Sequence, residues 1–201
     1  MSEKPFFSVI IPAHNCAAWM RKGLDTIRAQ SFKDYELIIV CDACTDNTAE
    51  IAREYTDRVI EVENNGSGPT RNVGLEASRG EWLLWMDDDD WWTDSDAFQK
   101  IADEIRKAEG TFDVLAFGFF FKSRGYAQQR PGRLYIAIWN KAWRRDFIGE
   151  TRFPPIAHTD DVGFANATHG KARFRYLDDL LYYYNYMRPG SITHLKSIGK
   201  L

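Results

Sequence analysis

The chain has 201 residues, 44% of them hydrophobic and 27% charged, with a formal net charge of −3. That length can bury one large core in a soluble globular protein. The acidic balance argues against a nucleic-acid binder that works by neutralising phosphates. No apolar stretch reaches the ~18–20 residues that span a bilayer. Met1-Ser2-Glu3-Lys4-Pro5 lacks the basic-then-apolar layout of a secretory signal, so a cytoplasmic location is the expectation.

In chain order, Phe6-Phe7-Ser8-Val9-Ile10-Ile11 is a continuous apolar run ended by Pro12, the pattern of a strand buried on both faces. Ala17 to Ala29 carries Met20, Leu24 and Ile27 at helical spacing. Tyr35 to Cys41 reads as a second buried strand. A helix is expected from about Asp46 to Tyr55, with Thr45 or Asp46 suited to cap it. Val59 to Val62 is a third, shorter strand. The turn Gly66-Ser67-Gly68-Pro69 leads into a helix from about Thr70 to Ser78. Trp82 to Met86 is the fourth strand, and Asp94 to Ala108 is a helix with Phe98, Ile101 and Ile105 on one face. Strands alternating with such helices imply a mostly parallel, doubly wound sheet.

Ligands of such sheets bind beyond the carboxyl ends of the strands. The polar loops Pro12–Cys16, Asp42–Asp46 and Asp87–Asp90 all lie at strand C-termini and are expected to face one pocket. In the last of them, four consecutive carboxylates follow directly on an apolar strand and are flanked by Trp85, Trp91 and Trp92. Four adjacent anions repel one another, and aromatic neighbours lower the local dielectric and sharpen that repulsion. A divalent cation is the simplest relief, and Mg²⁺ or Mn²⁺ prefers such hard oxygen ligands. The other reading is an acidic turn that caps the helix beginning near Asp94.

Three cysteines make no disulfide framework. A zinc site from Cys41, Cys44, His14 and Cys16 is conceivable, but the second pair lacks a recognised spacing, and reduced, incidental thiols are the expectation. In the second half, Val114 to Phe121 and Leu180 to Tyr186 read as strands among irregular and helical pieces rich in aromatics. With no repeat and no linker, residues 1–201 read as one domain, with a nucleotide-binding half (1–110) and an acceptor-binding half (111–201).

Four segments, in order and at familiar spacings, resemble the inverting family 2 glycosyltransferases of GT-A fold. They are Ser8 to Asn15; Cys41-Asp42-Ala43-Cys44-Thr45-Asp46; Asn65 to Gly74, which ends Thr-Arg-Asn-Val-Gly; and Met86 to Trp92. The last resembles the strand-end segment that carries the family's DxD metal motif. The resemblance implies an α/β fold with a mostly parallel mixed sheet and flanking helices. It also implies a nucleotide-sugar donor, foremost a UDP-sugar, and a glycan or lipid-linked acceptor. The cofactor would be Mn²⁺ or Mg²⁺, with no nucleic acid partner and a location extending to the inner face of the plasma membrane.

Carried over by position, the resemblance puts Pro12 and Asn15 in the donor pocket. It makes Asp42 the acceptor for uracil N3–H, against a role capping the helix that follows. Asp89 becomes the principal metal ligand, with Asp87 and Asp88 lining the same site and Asp90 orienting neighbours. Arg71, beside a helix N-terminus, would meet the diphosphate; a surface ion pair is the alternative. Thr159-Asp160-Asp161-Val162 resembles the acidic pair whose second member, Asp161, is the general base; two helix-capping carboxylates are the alternative.

Trp139-Asn140-Lys141 resembles a segment of enzymes that build bacterial surface polysaccharides. Trp139 there either shapes an acceptor site or packs in the core. Tyr183 to His194 resembles the closing strand and a loop that folds over the diphosphate, with His194 a third metal ligand, a phosphate contact or a solvated side chain.

The pattern is not followed everywhere. Cys41 stands where the family usually has Asp, Ala43-Cys44 replaces Gly-Ser, and His14 replaces Tyr, which puts the choice of nucleotide in question. The chain also stops soon after its closing strand, as a minimal catalytic domain or a truncation would. Two other functions remain open. A nucleotidyltransferase would carry a Gly-rich basic loop after the first strand, where this chain has Pro12-Ala13-His14-Asn15. A sugar- or nucleotide-binding module would have lost turnover.

Overall fold

A computed structural model describes residues 4–63, 65–108, 110–121, 125–128, 130–131, 134–155 and 159–200. The first half alternates as expected: β1 (Phe7–Ala13), α1 (Met20–Arg28), β2 (Tyr35–Asp42), α2 (Thr48–Arg53), β3 (Val59–Val62), α3 (Ser67–Ala77) and β4 (Trp82–Trp85). A two-residue strand, β5 (Trp91–Trp92), and α4 (Ala97–Lys107) follow. The second half comprises β6 (Val114–Phe121), β7 (Gly125–Ala127), β8 (Lys141–Arg144), α5 (Arg145–Ile148), α6 (Asp160–Thr168), β9 (Phe174–Tyr184) and α7 (Ile192–Ser197).

Among the described residues, all the strands join one mixed sheet in the order β3-β2-β1-β4-β8-β6-β9-β5, with β7 paired to β6. Strands β3, β2, β1 and β4 run parallel. β8 is inserted antiparallel between β4 and β6, and β9 runs parallel to β6 with an irregularity around Gly118.

Alternation along the strands assigns the faces. Phe7, Val9 and Ile11 of β1 point into a core with Met20, Leu24 and Ile27 of α1 and Phe98, Ile101 and Ile105 of α4. Ile10, Leu83 and Trp85 point the other way, onto Leu75 of α3 and Phe164 of α6. Helices therefore cover both faces, which is why the central strands read as unbroken apolar runs.

Most helices are two to three residues shorter at their starts than the sequence suggests, and three other boundaries differ for a visible reason. β1 continues through Pro12 to Ala13. Ile10 accepts from Met86 N–H on the β4 side, and Pro12 points to that same side beyond the end of β4, where no partner asks for an N–H. α3 begins at Ser67, since Gly68 and Pro69 fit a first turn whose amides need no intrahelical partner. β9 begins at Phe174 and passes through Asp178 and Asp179, which lack the apolar signature of a buried strand.

Candidate active site

The three loops expected at the strand tips converge. His14 N–H donates to Asp88 Oδ2 (3.1 Å), and its Nδ1 lies 2.5 Å from the Asp42 carbonyl oxygen. A carbonyl only accepts, so Nδ1 carries the proton. Asn15, at φ 47°, takes the Thr45 and Asp46 amides on its Oδ1 at 2.7 and 3.3 Å. Ala43 also has φ 47°, the left-handed region that favours glycine and that glycine would occupy at this position of the family pattern. These bonds clamp the β1 and β2 loops to each other and to the acidic turn. Pro12 lies on the strand that feeds this clamp.

Asp42 is buried, and its two carboxylate oxygens accept from the Asn65 and Gly66 amides at 2.8 and 2.9 Å. It thus fixes the approach to α3, with Gly66 at φ 77°, rather than capping α2. Asp46 serves α2, accepting from Thr48 N–H at 3.0 Å. Each Asp42 oxygen keeps a lone pair for a further donor.

Arg71 is not a surface ion pair. It is buried on α3, donates to Asp87 at 2.9 Å and to Asp160, and lies 3.5 Å from Asp161. One guanidinium therefore ties the end of β4 to the first turn of α6, a task for its rigid fork. Ser67 Oγ donates to Asp160 as well, at 2.8 Å. A Cβ on Gly68 would strike the Pro154 carbonyl, so glycine permits this close approach. Asp160 thus spends its oxygens on structure. Asp161 is left with a buried Oδ1 that has no hydrogen-bond donor and a carboxyl raised above the ordinary range by burial.

The acidic turn divides its labour in the same way. Asp90 is fully buried and accepts from Tyr182 Oη (2.7 Å) and Asn185 N–H (2.8 Å), while Tyr182 Oη accepts from Asp87 N–H (3.1 Å). Burial, then repulsion from the neighbouring carboxylates, pushes Asp87 up to about 7 and Asp88 to about 6. Asp89 pairs with Arg188 from the segment after β9. The sequence reading missed Arg188, and its only signal was a basic residue in the covering loop. His194 lies in α7, where its Nδ1 accepts from Gly190 N–H at 3.1 Å.

Among the described residues, no three His, Cys, Asp or Glu side chains converge into a cage for a metal ion. The acidic donor set nonetheless suits a hard divalent cation. Asp87, Asp88 and Asp89 crowd one turn, and Asp87 and Asp89 are each already matched to a guanidinium. One or two carboxylates completed by substrate phosphates is the usual Mg²⁺ shell. Cys16 and Cys41 are buried and Cys44 partly so, all as free thiols, and among the described residues they join no group of three potential zinc ligands.

Trp139 is a core residue: 3% exposed, stacked on Tyr182 at 4.8 Å and edge-on to Phe119 at 4.7 Å. It offers no face to a sugar. No described helix is long and apolar enough to cross a membrane.

Comparison with known proteins bears on the family and the fold. A family model described as glycosyl transferase family 2 matches residues 8–169. EpsH of Bacillus subtilis strain 168 is 30% identical over 228 residues, covering 98% of this chain and 63% of EpsH. Residues 1–349 of Staphylococcus aureus TarS in complex with UDP superpose with a TM-score of 0.78 at 25% identity, covering 89% of this chain and 60% of that one. The mannosyltransferase PcManGT from Pyrobaculum calidifontis, in complex with GDP-Man and Mn²⁺, shares the fold. Its TM-score is 0.73 at 19% identity, over 98% of this chain and 61% of PcManGT. The chain thus spans about three fifths of the length of these relatives. With the motif order, the mixed sheet and these matches together, the chain belongs to glycosyl transferase family 2 and is a glycosyltransferase domain of GT-A fold.

Proposed function

We propose that this domain transfers a sugar from a nucleotide diphosphate sugar, foremost a UDP-sugar, to a hydroxyl of a glycan or lipid-linked acceptor, with inversion at the anomeric carbon. The observation that carries the reading is Arg71, whose guanidinium joins the acidic turn and the α6 carboxylates in one cluster. In this reading the carboxylates of the donor side and of the acceptor side meet in that one cluster.

In this reading Asp161 is the general base. Its side chain is about a quarter exposed, so its carboxylate can accept the acceptor hydroxyl's proton as that oxygen attacks the anomeric carbon. The bond from that carbon to the phosphate oxygen breaks on the opposite face, and the nucleoside diphosphate leaves. Asp160 stays on Ser67 and Arg71 and orients the turn. Geometry, more than a tuned pKa, governs such a base.

Asp89 and Asp87 would hold the cation, with His194 of α7 as the third ligand, close in sequence to Arg188, which pairs with Asp89. A bound Mn²⁺ or Mg²⁺ supplies positive charge for the departing diphosphate. Pro12, Asn15 and Asp42 line the nucleoside side, with Asp42 the acceptor for the base, and Asp88 fixes the His14 loop beside them.

The test is nucleotide release from a panel of UDP- and GDP-sugars with Mn²⁺, with and without acceptor glycans, in the parent, Asp89→Ala and Asp161→Asn. Asp89→Ala is expected to lose metal-dependent UDP binding. Asp161→Asn is expected to keep binding and lose transfer by roughly 10²–10⁴-fold, the range of a removed general base. Pyrophosphate turnover would identify a nucleotidyltransferase instead, and UDP binding without turnover in the parent a binding module.

A further inference from the structure

Asp89 and Asp90 are neighbours in the acidic turn, and each grips the segment after β9 differently. Asp90 takes the Asn185 main-chain N–H at 2.8 Å and the Tyr182 hydroxyl at 2.7 Å, both in the buried interior. Those bonds belong to the fold. Asp89 instead takes the guanidinium of Arg188, which rides on a side chain with many rotamers.

This ion pair is largely shielded from water, with the Arg188 side chain 15% and that of Asp89 11% exposed. The guanidinium also lies 5.4 Å from the ring of Trp19, an exposed residue just before α1. Arg188 thus joins the segment to the acidic turn and to the start of α1.

The backbone on either side of Arg188 bends sharply. Met187 has φ 63° and Gly190 φ 85°, and a methionine in the left-handed region is uncommon. Arg188 N–H donates to the Asn185 carbonyl at 3.3 Å, and the Arg188 carbonyl accepts from Ser191 N–H at 2.9 Å. Two turns meet at Arg188 and aim its side chain back at Asp89.

Charge decides the consequence. A divalent cation reaching Asp89 meets a guanidinium already bound there, and the two repel strongly in so poorly hydrated a place. A nucleotide diphosphate alters that balance. Its phosphates bring negative charge for the metal and for the guanidinium together, and arginine pairs well with phosphate.

We propose that Arg188 is the resident counter-ion of Asp89 and holds that carboxylate against bare divalent metal. It yields the carboxylate when the metal arrives with a nucleotide diphosphate, whose phosphates take the guanidinium over. Metal and donor therefore bind as a pair, each raising the affinity for the other. The inference rests on Asp89 being the metal ligand, as proposed above.

The test uses the whole chain, as parent, Arg188→Gln and Trp19→Leu, with Asp89→Ala as control. Free Mn²⁺ is followed by electron paramagnetic resonance during titration, first without nucleotide and then with UDP, against protein-free blanks. Arg188→Gln is expected to bind Mn²⁺ alone at least about tenfold more tightly than the parent, within the usual range of coupling between sites. The factor by which UDP tightens Mn²⁺ binding should shrink by a similar amount.

Unchanged or weaker binding of Mn²⁺ alone in Arg188→Gln overturns the proposal. Should that variant not fold by circular dichroism, Trp19→Leu decides. Without the ring the guanidinium is held less firmly, and Mn²⁺ alone should bind about two- to fivefold more tightly; no change there overturns the proposal too. Mn²⁺ binding that survives Asp89→Ala undiminished sinks the metal assignment, and the inference with it. Binding lost in Asp89→Ala but not tightened in Arg188→Gln sinks the inference alone.

Discussion

Individual side chains in this pocket are held by partners distant in sequence. Arg71 meets Asp160 across 89 positions, and its fork satisfies two carboxylate groups at once. Arg71→Lys keeps the charge but offers a single nitrogen, which cannot bridge Asp87 and Asp160 together. We expect a loss of about 1–3 kcal/mol in urea unfolding and a fall in transfer larger than any fall in UDP binding.

Tyr182 presents a second case. Its hydroxyl both donates to Asp90 and accepts from Asp87 N–H in a fully buried position. Tyr182→Phe leaves two buried polar groups unsatisfied and should cost about 1–3 kcal/mol by the same measurement. An unchanged midpoint would mean that the hydroxyl has no such role.

The motifs were legible one at a time, three of them at strand tips and two opening α3 and α6. Their pairings were not. In the sequence Arg71 is a phosphate contact or a surface ion pair until the fold brings Asp160 to it, and Trp139 is an acceptor-site ring or a core ring until Tyr182 covers its face.

Among the elements, strands written as apolar runs were legible, and β8, charged at both ends and placed in the middle of the sheet, was not. β1, β2 and β4 announce themselves as apolar runs because helices bury both of their faces. β8 begins with a lysine and ends with an arginine, and only tertiary partners make that tolerable: carbonyls for Lys141 and Asp113 for Arg144.

Asp113 lies just before β6 and pairs with both Arg144 and Arg173, so it pins β8 and the approach to β9 at one corner. Arg173 foremost, then Arg144, hold its carboxyl well below the usual range. With a depressed native pKa, the unfolded chain takes up the proton first. The contribution is therefore complete above about pH 4, the unfolded value, and is lost as pH falls further. Asp113→Asn should cost about 1.5–3 kcal/mol at neutral pH. Its urea midpoint should approach that of the parent as pH drops from about 5 towards 2. Midpoints that stay a constant distance apart would exclude the linkage.

At the scale of the molecule, strands from the first and second halves of the chain share one sheet. β8, from the second half, pairs with β4 of the first at Trp82↔Arg144, Leu83↔Trp143 and Leu84↔Ala142, and β5 closes the far edge against β9. We expect a fragment of residues 1–110 to show native-like helix content by circular dichroism but poorly dispersed amide resonances. A well-dispersed spectrum would mark the first half as a domain in its own right. The order of strands was not legible in the sequence, since nothing local says that residues 141–144 insert beside residues 82–85.

That insertion bears on how the protein is made. A ribosome releases β4 well before β8, and until Arg144 has emerged the bare flank of Trp82–Trp85 offers unpaired amides and indole rings to any neighbouring strand. Nascent chains halted in that interval should be the aggregation-prone species, and expression in a host short of chaperones should fail there first.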